Sequence, residues 1–423
     1  MKVLARGFLA CLLIALLSGA VFAQSATDVQ AQLEKLMKQV DEQKKQIESL
    51  QNTIKDMQGK QAAPAPAAPA QEVKVNSKYN LNIYGKVKFD GIYDTNNMGR
   101  EDFIMYVPKN ATGEDRATFN ARDTRLGIAV TGPALNGWTP SGRFEVDFYG
   151  TDAATNGQLR MRLAYIDFAK QGTSVRAGQD WTPIASLNPT TVDFAIMGYN
   201  GNLWNRVPQV TVRQKIADGL DGLLTVYRGK WSDDDIGAPS SVDTQLHMPW
   251  IGGKVSYSAA LFSDQKSYFA LGGAVRNGEA GNNDVTPYLA ALEFKIPVSI
   301  VEIMGELYMG QGLGFEYFHN GLSGNYGAFN ASGHAILTRG GWVQASVKPM
   351  KDITMNVGYG MDDPKNADVG GDFFQQSRYA FGNVFIQLFK DISAAVEAAQ
   401  VNTDWKSGDK HGTRYQTSLI YNW

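Results

Sequence analysis

The sequence predicts an all-β transmembrane barrel of 16 antiparallel strands, preceded by an N-terminal α-helical coiled coil. Two patterns support this prediction. A heptad repeat runs through residues 24–60, whereas short runs of alternating apolar and polar residues recur from residue 79 to residue 423. A heptad period is typical of supercoiled helices, and a period of two is typical of strands.

Residues 1–23 resemble a secretory signal peptide. Lys2 and Arg6 supply positive charge beside a short apolar run, and Ala23 is a small residue suited to cleavage. The single cysteine, Cys11, lies in this run, so the predicted mature chain has no thiol for disulfide bonds, metal binding or catalysis. Without Lys2 and Arg6, the 40 basic residues fall to 38 against 42 acidic ones, which argues against nucleic acid as a partner.

Residues 24–60 are predicted to form a periplasmic coiled-coil stalk. Branched aliphatic residues occupy the first core position of four consecutive heptads, and the second core position is apolar except at Gln43. That pattern favours oligomerisation, and a polar core residue restricts the register or the number of helices. The pattern is compatible with two or three helices. Candidate partners of the stalk are peptidoglycan and a periplasmic protein.

The Ala/Pro-rich segment 61–78 is predicted to link the stalk to the barrel. The run AAPAPAAPAQ contains no residue that would form a core, and its prolines favour an extended, semi-rigid chain. Two roles are open for this segment, a spacer of defined length or a flexible linker.

Residues 79–423 are predicted to form an outer-membrane β-barrel. In the first strand, Val87 and Phe89 fall on one face, and Lys86 and Lys88 fall on the other. Similar runs return at intervals of about twenty residues, and an apolar outer face with a charged inner face is the pattern of transmembrane barrels. No run of apolar residues in the predicted mature chain is long enough for a membrane-spanning helix.

The predicted connections alternate between short turns and longer loops. Seven turns and eight loops require 16 strands, with both ends of the barrel on the periplasmic side. The sequence WIGGK at 250–254 is interpreted as a turn, and residues 264–285 and 404–410 are interpreted as loops. Because the last strand alternates apolar residues up to Tyr421 and Trp423, we expect it to close the barrel against the first strand.

The third loop, residues 181–206, is predicted to fold into the barrel and narrow it. This loop carries more apolar and aromatic residues than a loop in water would carry, among them Phe194 and Trp204. Packing against the inner wall would bury these side chains and leave Asp180 and Asp193 facing the pore. The alternatives are an outer cap or a contact between subunits.

The inner wall is predicted to carry a ladder of basic side chains. Rings of Arg and Lys attract anions to a pore, and the planar guanidinium group matches the geometry of a carboxylate. Alternatively, these charges pair with acidic neighbours such as Glu145 and Asp147, and the pore is unselective. The ladder residues assigned from strand parity are Lys86, Lys88, Arg125, Arg143, Arg160, Arg162, Arg176 and Arg213.

Three motifs carry a resemblance to a known family: RDTRLG at 122–127, AGQDW at 177–181 and the segment 200–214. Together with the stalk and the linker, they resemble the DcaP-like trimeric outer-membrane porin family. The resemblance implies a homotrimer in outer-membrane lipid that passes small anions such as dicarboxylates. It also implies that six arginines lie near the narrowest point of the channel: Arg125, Arg160, Arg162, Arg176, Arg206 and Arg213.

The expected function is therefore passive diffusion of small anionic solutes through a water-filled channel. A general or sugar porin without selectivity is one alternative, and a structural anchor whose coiled coil tethers the cell envelope is another. An enzyme is not expected, because His247, His319, His334 and His411 share no spacing with one another or with a serine motif. No cofactor is expected.

Overall fold

The computed structural model describes residues 78–151, 157–228, 244–246, 248–317, 328–369 and 374–423, together with four isolated positions, 38, 42, 45 and 49. These four positions are helical and exposed. The predicted signal peptide, the core positions of the predicted stalk and the predicted linker up to residue 77 lie outside the described residues.

Within the described ranges the chain forms 20 strands and one short helix at Gly314–Tyr317. The strands are β1 (Asn80–Asp94), β2 (Arg116–Asn120), β3 (Arg125–Thr131), β4 (Thr139–Asp147), β5 (Arg160–Lys170), β6 (Thr173–Trp181), β7 (Arg206–Ala217), β8 (Leu220–Tyr227), β9 (Thr244–Leu246), β10 (Trp250–Ala259), β11 (Ser267–Val275), β12 (Gly278–Ala280), β13 (Asn283–Val285), β14 (Tyr288–Val298), β15 (Val301–Gln311), β16 (Leu337–Met350), β17 (Ile353–Pro364), β18 (Phe374–Gln387), β19 (Ile392–Trp405) and β20 (Gly408–Asn422). In the described part of the chain, no helix has the length and apolar character needed to cross a bilayer.

The strands close into one antiparallel barrel. Neighbouring strands pair in chain order, and β20 returns to pair with β1. Strands β2 and β3 share one place beside β1, because the chain leaves the sheet briefly at 121–124, and β9, β12 and β13 form a separate three-stranded sheet. The described strands therefore fill 16 places in the barrel, as predicted. Closure leaves no unpaired sheet edge to face lipid.

Apolar side chains cover the outer face of the barrel, and polar side chains face inward. In β1, Val87 and Phe89 are exposed, whereas the alternate residues Lys88 and Asp90 are buried. Leu271 on β11 is likewise exposed on the outer face. An apolar exterior around a polar interior reverses the pattern of a soluble protein, and it is the surface that a bilayer requires.

The closure seam, where β1 pairs with β20, ends in a close contact between Gly85 and Trp423. These residues exchange two backbone hydrogen bonds of 3.2 Å, and a Cβ atom on Gly85 would lie 2.6 Å from the indole ring. Glycine at position 85 therefore makes room for the final tryptophan beside the first strand. The predicted pairing of the last strand with the first is confirmed.

Three predicted connections are wrong. Residues 250–254, interpreted as a turn, lie within β10, and the turn that precedes β11 spans 260–266. The loop after β11 accordingly spans 276–287 rather than 264–285, and the last hairpin connection is only 406–407.

Glycines near the misplaced turn serve packing. A Cβ atom on Gly252 would lie 2.8 Å from the Ile184 side chain, and one on Gly272 would lie 3.1 Å from the same side chain. Ile184 belongs to the connection between β6 and β7, which reaches these glycines from inside the barrel. Glycine within a strand often marks such a close approach, and here it is easily mistaken for a turn signal.

Candidate functional site in the barrel interior

Loop 3, residues 182–205 between β6 and β7, crosses the interior of the barrel. The Thr190 N–H donates to Gln344 on β16 at 2.6 Å, and the Thr190 carbonyl accepts from Asn383 on β18 at 2.8 Å. In the order of pairing, β16 and β18 are distant from β6 and β7 around the barrel. Loop 3 therefore runs through the interior and contacts the far side of the wall.

Glutamates on the far side of the barrel hold loop 3 through its backbone. Glu293 on β14 accepts hydrogen bonds from the N–H groups of Ser186 and Leu187 at 2.6 and 2.7 Å. Lys254 on β10 lies 2.9 Å from the other carboxylate oxygen of Glu293. Hydrogen bonds to an ionised acceptor are stronger than those between neutral groups, so this carboxylate fixes the first part of the loop.

Two further glutamates repeat this arrangement along the loop. Glu397 on β19 accepts from the N–H groups of Val192 and Asp193 at 2.7 and 3.1 Å. Glu306 on β15 accepts from the N–H of Leu203 at 3.0 Å. We refer to Glu293, Glu306 and Glu397 together as the acidic wall. Loop 3 covers these carboxylates, and each of them accepts at least one backbone N–H of the loop.

Aromatic and aliphatic packing fills the space between loop 3 and neighbouring parts of the barrel. Phe194 stacks on Tyr149 with ring centroids 3.8 Å apart, and Trp204 meets Phe194 edge-to-face. Ile184 is fully buried against the glycines of β10 and β11. The apolar residues of this loop are therefore buried inside the barrel, as the sequence predicts.

Loop 1, residues 95–115, also folds inward, which sequence analysis missed. The carbonyl of Met105 accepts from Asn200 Nδ2 of loop 3 at 2.7 Å. The carbonyl of Val107 accepts from Trp405 Nε1 of β19 at 2.9 Å. The apolar run FIMYV within this polar loop is the signal that could have predicted its burial.

The opposite arc of the barrel, formed by β1 and β3 to β7, carries a group of cations that we call the basic wall. Five of these cations form ion pairs with carboxylates among the described residues. The basic wall consists of Lys86, Arg125, Arg143, Arg160, Arg162, Arg176, Arg206 and Arg213. The pairs are Lys86–Asp123 at 2.7 Å, Arg125–Asp123 at 2.9 Å, Arg160–Asp147 at 2.7 Å, Arg162–Glu145 at 2.6 Å and Arg176–Asp167 at 2.5 Å.

Three arginines of the basic wall, Arg143, Arg206 and Arg213, have no carboxylate within ion-pair distance among the described residues. The Arg206 guanidinium lies over two loop-3 flanking rings, 4.9 Å from the centroid of Trp181 and 5.2 Å from that of Trp204. The Nη1 atoms of Arg206 and Arg213 are buried without a hydrogen-bond acceptor in the described part of the chain. The three guanidinium groups therefore lack an ion-pair partner in the described part of the chain.

A cavity of about 530 Å³ lies between the basic wall and loop 3. Its lining includes five basic side chains and two acidic ones. Arg143, Arg176 and Arg213 contribute from the basic wall, and Lys254 contributes from β10. Two of these side chains, Arg143 and Arg213, have no carboxylate partner among the described residues, so the cavity lining carries positive charge that is not compensated.

Two residues predicted to face the pore, Lys88 and Asp193, are buried and anchor loop 3 instead. The Lys88 ammonium donates to the carbonyl of Val192 at 2.7 Å and lies 3.2 Å from Asp90. The Asp193 carboxylate lies 3.1 Å from the guanidinium of Arg414 on β20. Strand parity places Lys88 on the inner face correctly, but the loop that covers it cannot be derived from parity.

Asp180 and Arg122 also form fixed contacts. Asp180, at the end of β6, is buried and pairs with Arg176. Arg122, from the RDTRLG motif, pairs with Asp102 of loop 1 and donates to the carbonyl of Thr151. The motif therefore contributes a loop anchor through Arg122 and a basic-wall residue through Arg125.

Asp193 is the one carboxylate in the sequence of loop 3, and its side chain is buried. Burial raises the pKa of Asp193 to about 7, Arg414 opposes this shift, and Glu397 adds to it. Arg414 directs its two shorter ion-pair contacts, of 2.7 and 2.8 Å, to Asp94 rather than to Asp193. Asp193 is therefore the weaker partner of this arginine, and desolvation dominates its pKa.

Comparison with known proteins gives a family and several structures with the same fold. A family model described as Gram-negative porin matches residues 61–286, which is more than half of the chain. None of the curated protein sequences compared with the chain matches it. The outer membrane channel DcaP of Acinetobacter baumannii has a TM-score of 0.71 and 20% identity, over 82% of this chain and 98% of that chain.

Two other solved structures are similar at lower identity. The anion-selective porin from Comamonas acidovorans has a TM-score of 0.57 and 14% identity, over 82% of this chain and 100% of that chain. The trimer form of OmpT from Vibrio cholerae has a TM-score of 0.51 and 11% identity, over 82% and 100% of the two chains. At these identities the similarity shows the shared barrel fold.

Proposed function

Because the chain belongs to the Gram-negative porin family, we propose that it forms a water-filled channel that favours small anionic solutes of the dicarboxylate type. The family and the barrel fold indicate an outer-membrane channel rather than an enzyme. Beyond the family and the fold, we propose that the channel is selective and that its constriction lies between loop 3 and the basic wall.

One observation carries the proposal: Arg143, Arg206 and Arg213 lack carboxylate partners among the described residues, and Arg143 and Arg213 line the cavity beside loop 3. A charge with a close counterion has little effect beyond the screening length of about 8 Å at physiological ionic strength. An unpaired cation in a narrow passage with low-dielectric walls raises the local concentration of anions and lowers their barrier to entry.

The geometry of these arginines favours carboxylates. Arginine presents planar pairs of N–H donors that match the two oxygens of a carboxylate, whereas lysine presents a single point charge. The Trp181 and Trp204 rings lie against Arg206 and restrict its orientation. A solute with two carboxylates could therefore contact more than one guanidinium group as it passes the narrow region.

The basic-wall cations that are paired favour a second candidate, a porin with little selectivity. Arg160, Arg162 and Arg176 each lie within ion-pair distance of a carboxylate, so their charges are largely compensated. The two candidates differ in whether the three unpaired arginines dominate the field inside the channel. The anion-selective porin of Comamonas acidovorans has the same barrel fold, so this fold is compatible with a selective channel.

We also propose a homotrimer with a periplasmic coiled-coil stalk at residues 24–60. The shared fold with OmpT of Vibrio cholerae, which was solved in a trimer form, supports this assembly. The heptad repeat supports an oligomeric stalk. In a stalk that acts as an envelope tether, peptidoglycan or a periplasmic protein would be the partner.

Planar-bilayer recording in asymmetric KCl tests the selectivity. We expect the purified channel to show a reversal potential of the sign for anion preference, and we expect added succinate to reduce the chloride current. The triple variant Arg143→Gln, Arg206→Gln, Arg213→Gln should move the reversal potential strongly towards zero, because the lumen loses its uncompensated positive charge.

The matched control is Arg339→Gln, which removes one positive charge from an ion pair with Asp363 outside the basic wall. Its reversal potential should equal that of the unmodified channel. A channel that shows no anion preference before mutation, or a triple variant that retains it, would contradict the proposal. A silent barrel would favour the structural anchor.

A further inference from the structure

We propose that Arg414 is the positioning residue that fastens loops 1 and 3 to the closure seam and thereby sets the aperture of the channel. The inference rests on the proposed function, since it concerns the opening that loop 3 leaves beside the basic wall. Arg414 lies on β20, directly opposite Asp94 in the pairing with β1. Its side chain is buried within the barrel.

The Arg414 guanidinium joins three separate parts of the chain. Its Nε and Nη2 atoms donate to Asp94 on β1 at 2.7 and 2.8 Å, and its Nη1 atom donates to Asp193 of loop 3 at 3.1 Å. The Nη2 atom also donates to the carbonyls of Arg100 and Glu101 in loop 1, at 3.1 and 3.2 Å. One side chain thus contacts both strands of the seam and both inward loops.

Asp193 extends this connection between the loops. Its carboxylate accepts from the N–H of Ile104 in loop 1 at 3.1 Å and from the N–H of Ala195 in loop 3 at 2.9 Å. Arg414 and Asp193 therefore form a continuous link from the seam to both loops. Glu397, Lys88 and Arg414 are the charged groups that surround this carboxylate.

Loop 3 depends on such tertiary contacts because its own backbone is strained. Ile196 and Met197 have φ values of 44° and 59°, in the left-handed region. A β-branched residue such as isoleucine is a rare occupant of that region, and the conformation persists only where surrounding contacts enforce it. Ile196 and Met197 lie three and four residues after Asp193, so the contact between Asp193 and Arg414 is close to the strained segment.

The chemistry at this position requires arginine. Arginine offers five N–H donors in a fixed plane, and at Arg414 they reach two carboxylates and two carbonyls at once. Lysine has three donors on a single nitrogen, so it cannot reach Asp94, Asp193 and the loop-1 carbonyls at the same time. We therefore expect Arg414→Lys to behave like Arg414→Gln in the position of loop 3, although it keeps the charge.

Spin labelling of loop 3 tests the proposal in the full-length chain. Thr190 is exposed on loop 3, and Cys11, the only cysteine, lies in the predicted signal peptide, so Thr190→Cys gives a single labelling site. In the protein that keeps Arg414, we expect the electron paramagnetic resonance spectrum of the label to show one immobilised component. Loss of one partner of a buried ion pair changes the equilibrium between the anchored and the released loop by about 100-fold or more. Arg414→Gln and Arg414→Lys should therefore show a clear mobile fraction.

The same variants should show several conductance levels and increased current noise in bilayer recordings. The matched control is Arg378→Gln, which removes an arginine from an ion pair with Asp404 between β18 and β19 and touches neither loop. The control should keep the immobilised spectrum and the single conductance level. Immobilised spectra and unchanged currents in both Arg414 variants would overturn the proposal.

A second variant keeps the test decisive if the Arg414 variants do not fold into closed barrels. Asp193→Ala leaves Arg414 paired with Asp94 and bound to the loop-1 carbonyls of Arg100 and Glu101, and it removes the link from Arg414 to loop 3. It should release loop 3 while circular dichroism shows an intact barrel, and an immobile loop in this variant would reject the inference. Loop release in a channel without anion preference would reject the proposed selectivity alone.

Discussion

The basic wall and the acidic wall occupy different arcs of one barrel, and loop 3 binds the carboxylates of the acidic wall through its backbone. Glu293 and Glu397 are buried and accept backbone N–H groups of the loop. Arg206 and Arg213 keep donors without an acceptor among the described residues, and Arg213 lines the cavity. The two walls have charges of opposite sign, and the charges serve different purposes.

This difference shows how a porin interior can be polar in both arcs and still have an electric field that points from one wall to the other. Backbone donors of loop 3 bind these carboxylates, and Lys254 adds a side-chain charge at Glu293, so the acidic wall becomes part of the loop scaffold. On the basic wall, side-chain carboxylates compensate some cations and leave others uncompensated. The comparison predicts that mutations in the acidic wall change the position of the loop, whereas mutations in the basic wall change selectivity.

The largest effect is expected from Glu397→Ala. This change leaves the N–H groups of Val192 and Asp193 without their acceptor, and each buried donor left unsatisfied costs about 1–3 kcal/mol. We expect a lower unfolding midpoint by circular dichroism and a more variable conductance.

Glu397→Gln is the matched variant, because its amide oxygen can still accept from the loop. It should unfold at a midpoint between those of Glu397→Ala and the unmodified protein. If both variants were as stable as the unmodified protein, with unchanged conductance, the acidic wall would not hold the loop.

A smaller effect is expected from the titration of Asp193. An aspartate in the unfolded chain titrates near pH 4, and the pKa of Asp193 in the folded protein is raised to about 7. Between these values the folded state binds the extra proton. The stabilising contribution is therefore present below pH 4 and is lost as the pH rises to 7, with a slope of at most about 1.4 kcal/mol per pH unit.

Asp193→Asn should remove this part of the pH dependence, because asparagine resembles the protonated side chain and does not titrate. Denaturant unfolding at pH 5, 6, 7 and 8 checks the prediction by comparing the two stability curves. Parallel curves would show that Asp193 does not titrate in this range and that Arg414 keeps it ionised.

The smallest effect is expected from deletion of residues 24–71, which removes the predicted stalk and most of the predicted linker. Both walls and loop 3 lie in residues 78–423, so the conductance of a single pore should not change. Bilayer recording of the deleted chain checks this expectation, and crosslinking before and after deletion shows whether the stalk is required for the trimer. A collapse of conductance would mean that the stalk shapes the pore.

The barrel could be predicted from the amino-acid sequence alone. Period-two alternation is a local property of each strand, so it predicted 16 strands and the inward face of residues such as Lys86 and Arg213 without knowledge of their neighbours. The aromatic end of the chain predicted closure at Trp423. The sequence-based prediction was wrong at Gly252. A glycine within a strand that makes room for a loop has the same local sequence pattern as a glycine in a turn.

The inward charges that lack a partner could be identified only in the folded barrel. Whether a cation has a partner depends on the register between neighbouring strands and on the path of the loops, and neither is encoded locally. Glu397 binds the backbone of Val192 across 205 residues of sequence, and Arg414 binds Asp193 across 221. Arg143 and Arg162 look alike in the sequence, yet Arg162 has carboxylate partners and Arg143 has none in the described structure. Folding brings these distant groups together, so their roles follow from the closed barrel.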